Sequence, residues 1–143
     1  MSPRSLALNL VAQYYAHFNA GQRPEMMALL GEAVVHDINQ GGSQVGREAF
    51  TSFMAHMDHC YREQVTDLVL MADEEGERVA AEFYILGEYL RSDEGLPEAS
   101  GQRYRLRVGA FFEVREGRIA RVTNYYNLQD WLQQVTAPKP HDA

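Results

Sequence analysis

The stretch Arg103-Tyr-Arg-Leu-Arg-Val-Gly-Ala-Phe-Phe-Glu-Val114 decides the fold. Tyr104, Leu106, Val108, Ala110, Phe112 and Val114 alternate with Arg103, Arg105, Arg107, Gly109, Phe111 and Glu113, a period of two with one apolar face. Such a segment is a strand of a sheet that is buried on one side and solvated on the other. Arg115-Glu-Gly-Arg118 follows as a hairpin-type turn, and Ile119–Asn127 returns as the next strand. Working backwards, Val65–Met71 and Arg78–Leu90 are two further strands joined by the turn Asp73-Glu-Glu-Gly-Glu77. Ser92–Gly101, with Gly, Pro, Ser and three acids, is a loop.

The outer segments are helical. Leu6, Leu10, Tyr14 and Phe18 recur every four residues, with Val11 filling the stripe and Gly21 as the stop. Pro24 opens a short second helix carrying Met26, Met27, Leu29 and Leu30 and ending at Gly31. Ala33–Ile38 is β-rich and too short for a helix, and Asn39-Gln-Gly-Gly-Ser43 is an irregular loop by composition. Phe50, Phe53, Met54, Met57 and Tyr61 share a face of a third helix, and Leu128, Trp131, Leu132 and Val135 mark a closing one. Helices gathered on one side of a curved sheet make an α+β fold. The expected architecture is a cone-shaped, mixed or antiparallel sheet bent over three helices around an internal pocket, with residues 1–136 as one domain and 137–143 as a disordered tail.

Composition narrows the function. In 143 residues, 45% are hydrophobic and 23% charged, as in ordinary globular chains. Thirteen basic and twenty acidic side chains give a net charge of −7, which argues against a nucleic-acid groove or an anionic membrane surface. The single Cys60 excludes an internal disulfide, and the N-terminal segment has no signal-peptide core, so a cytoplasmic location is expected. No dinucleotide-binding or P-loop glycine motif occurs, and no cofactor is expected.

Short motifs add a family. Ala12-Gln-Tyr14 followed by Asn19-Ala-Gly21, Asp37 followed nine residues on by Gly46 and then Phe50, and Gly117-Arg-Ile119 stand in register with ketosteroid isomerase. With the layout from Leu6 to Val135, the chain resembles the nuclear-transport-factor-two-like superfamily, which includes that isomerase and the polyketide cyclases. More narrowly, it looks like the ketosteroid-isomerase-related bacterial proteins. The resemblance implies Asp37 as general base and Tyr14 as donor to a developing oxyanion. It places the isomerase's third catalytic group, a carboxylic acid, at Gly109 or Ala110, which cannot donate a side-chain hydrogen bond. A lost oxyanion donor costs about 10²–10³ in rate.

The residues themselves leave two readings each. Asp37 aimed into an apolar cone would have a raised pKa and could remove a proton next to a carbonyl; otherwise it caps the Asn39-Gln-Gly turn. Tyr14 could donate to a substrate oxygen or pack as a core tyrosine, while Tyr15, about 100° away on the helix, points to the surface or an interface. Matching the hairpin to the isomerase turns Ala120, Val122, Asn124 and Tyr126 inward, with Asn124 and Tyr126 orienting a ligand or bonding the closing helix. By parity Phe83, Ile85 and Tyr89, and Leu106, Val108, Ala110 and Phe112, line the wall or fill the core. His36 projects to the opposite face from Asp37 and is expected to be partly exposed. His56 and Cys60 stand at i, i+4, but no third ligand of suitable spacing follows, so no metal site is expected. Arg103, Arg105 and Arg107 form a stripe explained by cross-strand pairs with Glu82 and Glu88.

The expected function is binding of a small apolar carbonyl compound, with cofactor-independent isomerase, cyclase or lyase-type proton transfer. Asp37 and Tyr14 would be catalytic, with Asn124, Tyr126, Phe112, Phe83 and Val122 against the substrate. The alternative is a non-catalytic small-molecule carrier or a protein-interaction module. The superfamily resemblance also implies a homodimer through the convex sheet face.

Overall fold

Glu116 and Gly117, both with positive φ (52° and 74°), make the two-residue hairpin turn whose twist matches its flanking strands. They join β5 (Gln102–Arg115) to β6 (Arg118–Tyr126), as the alternating sequence demands. The computed structural model describes residues 1–137, so the expected tail lies outside the described residues apart from Ala137. Before β5 come α1 (Pro3–Ala20), α2 (Arg23–Ala28), β1 (Leu30–Asp37), β2 (Ser43–Val45), α3 (Arg47–Cys60), β3 (Tyr61–Ala72) and β4 (Arg78–Tyr89); α4 (Leu128–Thr136) follows β6. The strands form one mixed sheet in the order β2-β1-β6-β5-β4-β3. Only β1 and β6 run parallel, and the other neighbours are antiparallel. This is the α+β class that the pattern predicts. No described helix is long and apolar enough to cross a membrane.

Several boundaries differ from expectation. Ser43–Val45, within and just beyond the expected loop, pairs with β1 as a short edge strand. Tyr61, expected on the third helix, starts β3 instead, with extended backbone immediately after Cys60. The buried arc of α1 is Ala7, Val11, Tyr14 and Tyr15, one position round from the expected stripe, and Leu6 is exposed. The sheet curves partly through irregular pairing, with register shifts between Thr66 and Val69, where Asp67 has φ 55°, and between Glu113 and Val114.

Pleating sends Tyr61, Glu63 and Val65 of β3, Phe83, Ile85 and Gly87 of β4, and Tyr104, Leu106 and Val108 of β5 to the concave side. The helices cover that side. A side-chain amide ties α1 to the sheet margin: Asn19 Nδ2 donates to the Val65 carbonyl at 2.9 Å, and Asn19 Oδ1 accepts from the Val65 N–H at 2.8 Å. Because β3 is an edge strand, those backbone groups have no strand partner on that side. Asn19→Ala should therefore cost about 2–3 kcal/mol in urea unfolding, from two lost bonds and two stranded backbone groups, with an unchanged denaturant slope.

Candidate functional site

A cavity of about 430 Å³ lies between the concave sheet face and α1, α3 and α4. That volume suits a small organic ligand. Apolar and aromatic side chains make most of the wall: Phe50 and Met54 from α3, Phe83 and Ile85 from β4, Leu106 and Val108 from β5, and Trp131 from α4. The Trp131 indole packs edge-on to Tyr61, Tyr89 and Tyr104 at 5.2–6.2 Å beneath α4.

Of the predicted residues, Tyr14, Asn124, Tyr126 and Phe83 meet on this wall. Burial pushes the Tyr14 hydroxyl well above its ordinary range, with the Arg23 guanidinium working against the rise. Tyr14 therefore stays a neutral donor, and among the described residues its hydroxyl has no hydrogen-bond partner. The Tyr126 N–H donates to Asn39 Oδ1 at 3.3 Å. Phe112 and Val122 are corrections. Both are inward and 1% exposed, but they lie in the core rather than on the cavity wall. The Tyr14 and Tyr15 rings pack edge-on over Phe112 at 5.5 and 5.8 Å and screen it. Tyr15 also departs from expectation: it is 5% exposed and lines the cavity, because the curved sheet wraps a wide arc of α1.

Asp37 is the larger correction. The pleat of β1 turns Val34 and His36 inward, so Asp37 points out of the cone. There it stands in one register row, between Ser43 of β2 and Thr123 of β6. Ser43 Oγ donates to Oδ1 at 2.5 Å, Thr123 Oγ1 donates to Oδ2 at 2.6 Å, and Arg121 Nε donates to Oδ2 at 2.7 Å. The Arg121 hydrogen bond first, then Ser43 and Thr123, hold the carboxyl well below the usual carboxylate range despite partial burial. A carboxylate held this way is a poor base and an effective structural anchor. His36, expected to be partly exposed, occupies the cavity side instead. It is 3% exposed, stacked on Phe50 at 4.3 Å and edge-on to Phe53 at 4.7 Å. Burial pushes its pKa down against the opposing charge of Asp37, so the ring is neutral at pH 7, and its buried Nδ1 has no partner among the described residues.

Sequence reasoning missed other polar groups on the wall. Glu63, Gly87 and Tyr104 occupy one register row across β3, β4 and β5. The Tyr104 ring lies across the bare Gly87 Cα, where a Cβ would collide with it, and the hydroxyl donates to Glu63 Oε2 at 2.5 Å. Burial raises the Glu63 pKa, and the Tyr104 bond acts in the opposite direction. A strand read from Val65 leaves Glu63 out; starting it at Tyr61 puts Glu63 on the same face as Val65. The glycine inside the β4 pattern is the other available signal. At the mouth, Arg23 grips Asp58 with two bonds of 2.8 Å.

His56 and Cys60 do acquire a third neighbour, Asp93, from the loop after β4; one donor atom from each lies within 4.8 Å of the others. The Tyr89 hydroxyl, accepting from the Asp93 N–H at 2.9 Å, brings that loop across. Burial pushes the Asp93 carboxyl up, but bonds from Tyr61 and His56, both at 2.8 Å, hold it below its ordinary value. A cation could be taken by these three only in competition with those bonds.

The depressed Asp37 pKa sets the sign of a pH effect. Its stabilisation is complete above the unfolded value of about 3.8 and is lost as pH falls towards the folded value. Asp37→Asn should lower stability by about 1–2 kcal/mol at pH 7, with the gap to wild type closing below about pH 3, while ligand binding in the cavity is unchanged. Thermal melts at both pH values, with a binding titration at pH 7, check this.

The same frame recurs in known proteins. No curated protein matches the sequence. Among solved structures, a candidate polyketide cyclase of Xanthomonas campestris pv. campestris is 53% identical, with a TM-score of 0.92 over 94% of this chain and 100% of that one. A candidate polyketide cyclase of Pseudomonas putida is 56% identical, with a TM-score of 0.90 over 91% and 98%. An LEH-like epoxide hydrolase of M. tuberculosis, 17% identical with a TM-score of 0.71 over 92% and 90%, shares the fold. The SnoaL-like domain model matches residues 11–122, and with the cone, its cavity and these relatives it follows that the chain belongs to the SnoaL-like family.

Proposed function

We propose that this protein binds a small, mainly apolar carbonyl compound in its cavity and transfers a proton at the carbon beside the carbonyl. The observation that carries this is a largely apolar 430 Å³ cavity lined by Tyr14, whose neutral hydroxyl has no hydrogen-bond partner among the described residues. Apolar walls supply affinity by burying the ligand's skeleton, and isolated donors supply orientation. A neutral phenol in a low-dielectric site stabilises a developing enolate oxygen more than the parent carbonyl, which lowers the barrier. The names of the two close relatives support this chemistry, because cyclising a polyketide by carbon–carbon bond formation begins with deprotonation next to a carbonyl. Asp37, on the outer face, is left out of the reaction. No step calls for a redox change.

The probe is 2-tetralone, an apolar ketone with acidic hydrogens at C1. Saturable quenching of Trp131 fluorescence reports binding, and deuterium uptake at C1 in D2O, followed by proton NMR, reports transfer. Wild-type protein should do both; quenching without faster exchange would favour a carrier instead. Tyr14→Phe should slow the catalysed exchange by about 10²-fold while changing the quenching midpoint by less than about threefold.

We also infer a homodimer through the outer sheet face. Val69, Met71, Leu86, Phe111 and Tyr125 are all about half exposed there, a spread of large apolar groups that a second copy would cover. Phe111→Glu should convert a dimer to a monomer in light-scattering chromatography; a wild-type monomer would defeat the inference.

A further inference from the structure

We propose that Glu63 is the catalytic residue that carries the proton in this cavity, with Tyr104 as its positioning residue, acting on an apolar ketone that presents an acidic C–H beside its carbonyl. This assignment depends on the proton-transfer chemistry proposed above.

A buried carboxylate is normally paired with a cation or surrounded by donors, because an isolated charge is costly away from water. Glu63 has neither. Among the described residues no Arg, Lys or His lies within ion-pair distance of it, and its bonding partner is the neutral phenol of Tyr104. That bond occupies Oε2 and leaves Oε1 without a protein partner among the described residues. The other acids near the cavity are committed: Asp58 to Arg23, and Asp93 to Tyr61 and His56. His36 is wedged between two phenyl rings, and among the described residues no hydrogen-bonding group orients it. Among the acids and histidines described at the cavity, only Glu63 combines a free oxygen, a half-buried place on the wall and an orienting partner, which a general base requires.

The sheet is shaped for this pair. Gly87, between them in register, carries no side chain, and that space lets the Tyr104 ring cross β4 and reach Glu63. Burial raises the carboxyl pKa; Tyr104 lowers it, Asp58 raises it and Arg23 lowers it, in that order of size. Tyr61 and Tyr126, which also face this end of the cavity, stay neutral through burial. A carboxylate tuned upward is a stronger base than one in water.

In the step, the C–H bond beside the carbonyl breaks and its electron pair forms the enolate C=C bond. The carbonyl π pair moves to oxygen, and the proton passes to Glu63 Oε1. The Tyr14 hydroxyl donates to the enolate oxygen. Return of the proton to the same carbon, after exchange with solvent, gives deuterium uptake; return to a conjugated carbon gives an isomer. Nothing is oxidised or reduced.

Exchange of 2-tetralone in D2O tests the assignment. Glu63→Gln keeps the shape and an oxygen for Tyr104, so Trp131 quenching should survive while catalysed exchange falls at least about 100-fold. In wild type the rate should rise with pH through an inflection above 4.5, the ordinary glutamate value. Tyr104→Phe should move that inflection further up, because the phenol bond favours the ionised carboxylate; a merely structural tyrosine would leave it in place. Exchange within twofold of wild type in Glu63→Gln overturns the assignment and leaves the wider chemistry standing, as does loss of exchange in His36→Gln alone. Wild-type protein that binds 2-tetralone without speeding its exchange overturns the wider chemistry itself. Should Glu63→Gln fail to fold, carboxyl carbon-13 titration of the wild type decides: a Glu63 that titrates at or below 4.5 overturns the assignment.

Discussion

Side chains on a pleated strand alternate between two faces, and in this molecule the two faces are different solvents. Outside the cone, charges are cheap and are held by hydrogen bonds and partial screening. Inside, each polar atom without a partner keeps its full reactivity and its full cost. Two rows of side chains, each crossing three strands, make the contrast concrete. The outer row sets Asp37 between Ser43 and Thr123, with Arg121 alongside. The inner row sets Glu63 beside an empty glycine position and a phenol.

The two carboxylates are therefore pushed in opposite directions. Asp37 gains three donors, one of them a cation, and its charged form is favoured. Glu63 gains one neutral donor and is partly desolvated, so its charged form is disfavoured. A carboxyl whose charged form is disfavoured takes up a proton more readily, whereas one held as an anion by a guanidinium is a poor base. The helices complete the setting. Tyr14 and Tyr15 pack over Phe112, and Trp131 packs against Tyr89 beneath α4.

Much of this frame was legible in the sequence. The alternation from Tyr104 to Val114, the Glu116-Gly117 turn and the helical stripes lead to the α+β class, and the match of the hairpin to ketosteroid isomerase implies an inward Asn124 and Tyr126. Illegible was anything that depends on which face a short strand offers. Ala33–Ile38 alternates too little to set its own parity, so the sequence leaves open which of His36 and Asp37 faces inward. Parity there is imposed by pairing with β2 and β6, and β2 itself looked like loop. Glu63 was hidden by a strand start placed four residues late. Asp93 was hidden because a loop position carries no periodicity, and a tyrosine hydroxyl from another element holds it in place. Tyr15 was misplaced because a helix cradled by a curved sheet buries a wider arc than one lying on a flat surface.

The unclosed sheet leaves backbone groups along its margins, and two amide side chains meet them. Asn19 answers both main-chain groups of Val65 on the outermost strand. Gln134 does the same for Arg105, where β5 runs beyond the end of its pairing with β6: its Oε1 accepts from the Arg105 N–H at 2.8 Å and its Nε2 donates to the carbonyl at 2.8 Å. Each amide imitates a rung of a neighbouring strand. Exposed rungs are templates on which another chain can lay a strand of its own, the first event in edge-to-edge aggregation. Two side-chain amides thus occupy rungs on which another chain could otherwise build, and the sheet stays open at its margins with room for a cavity.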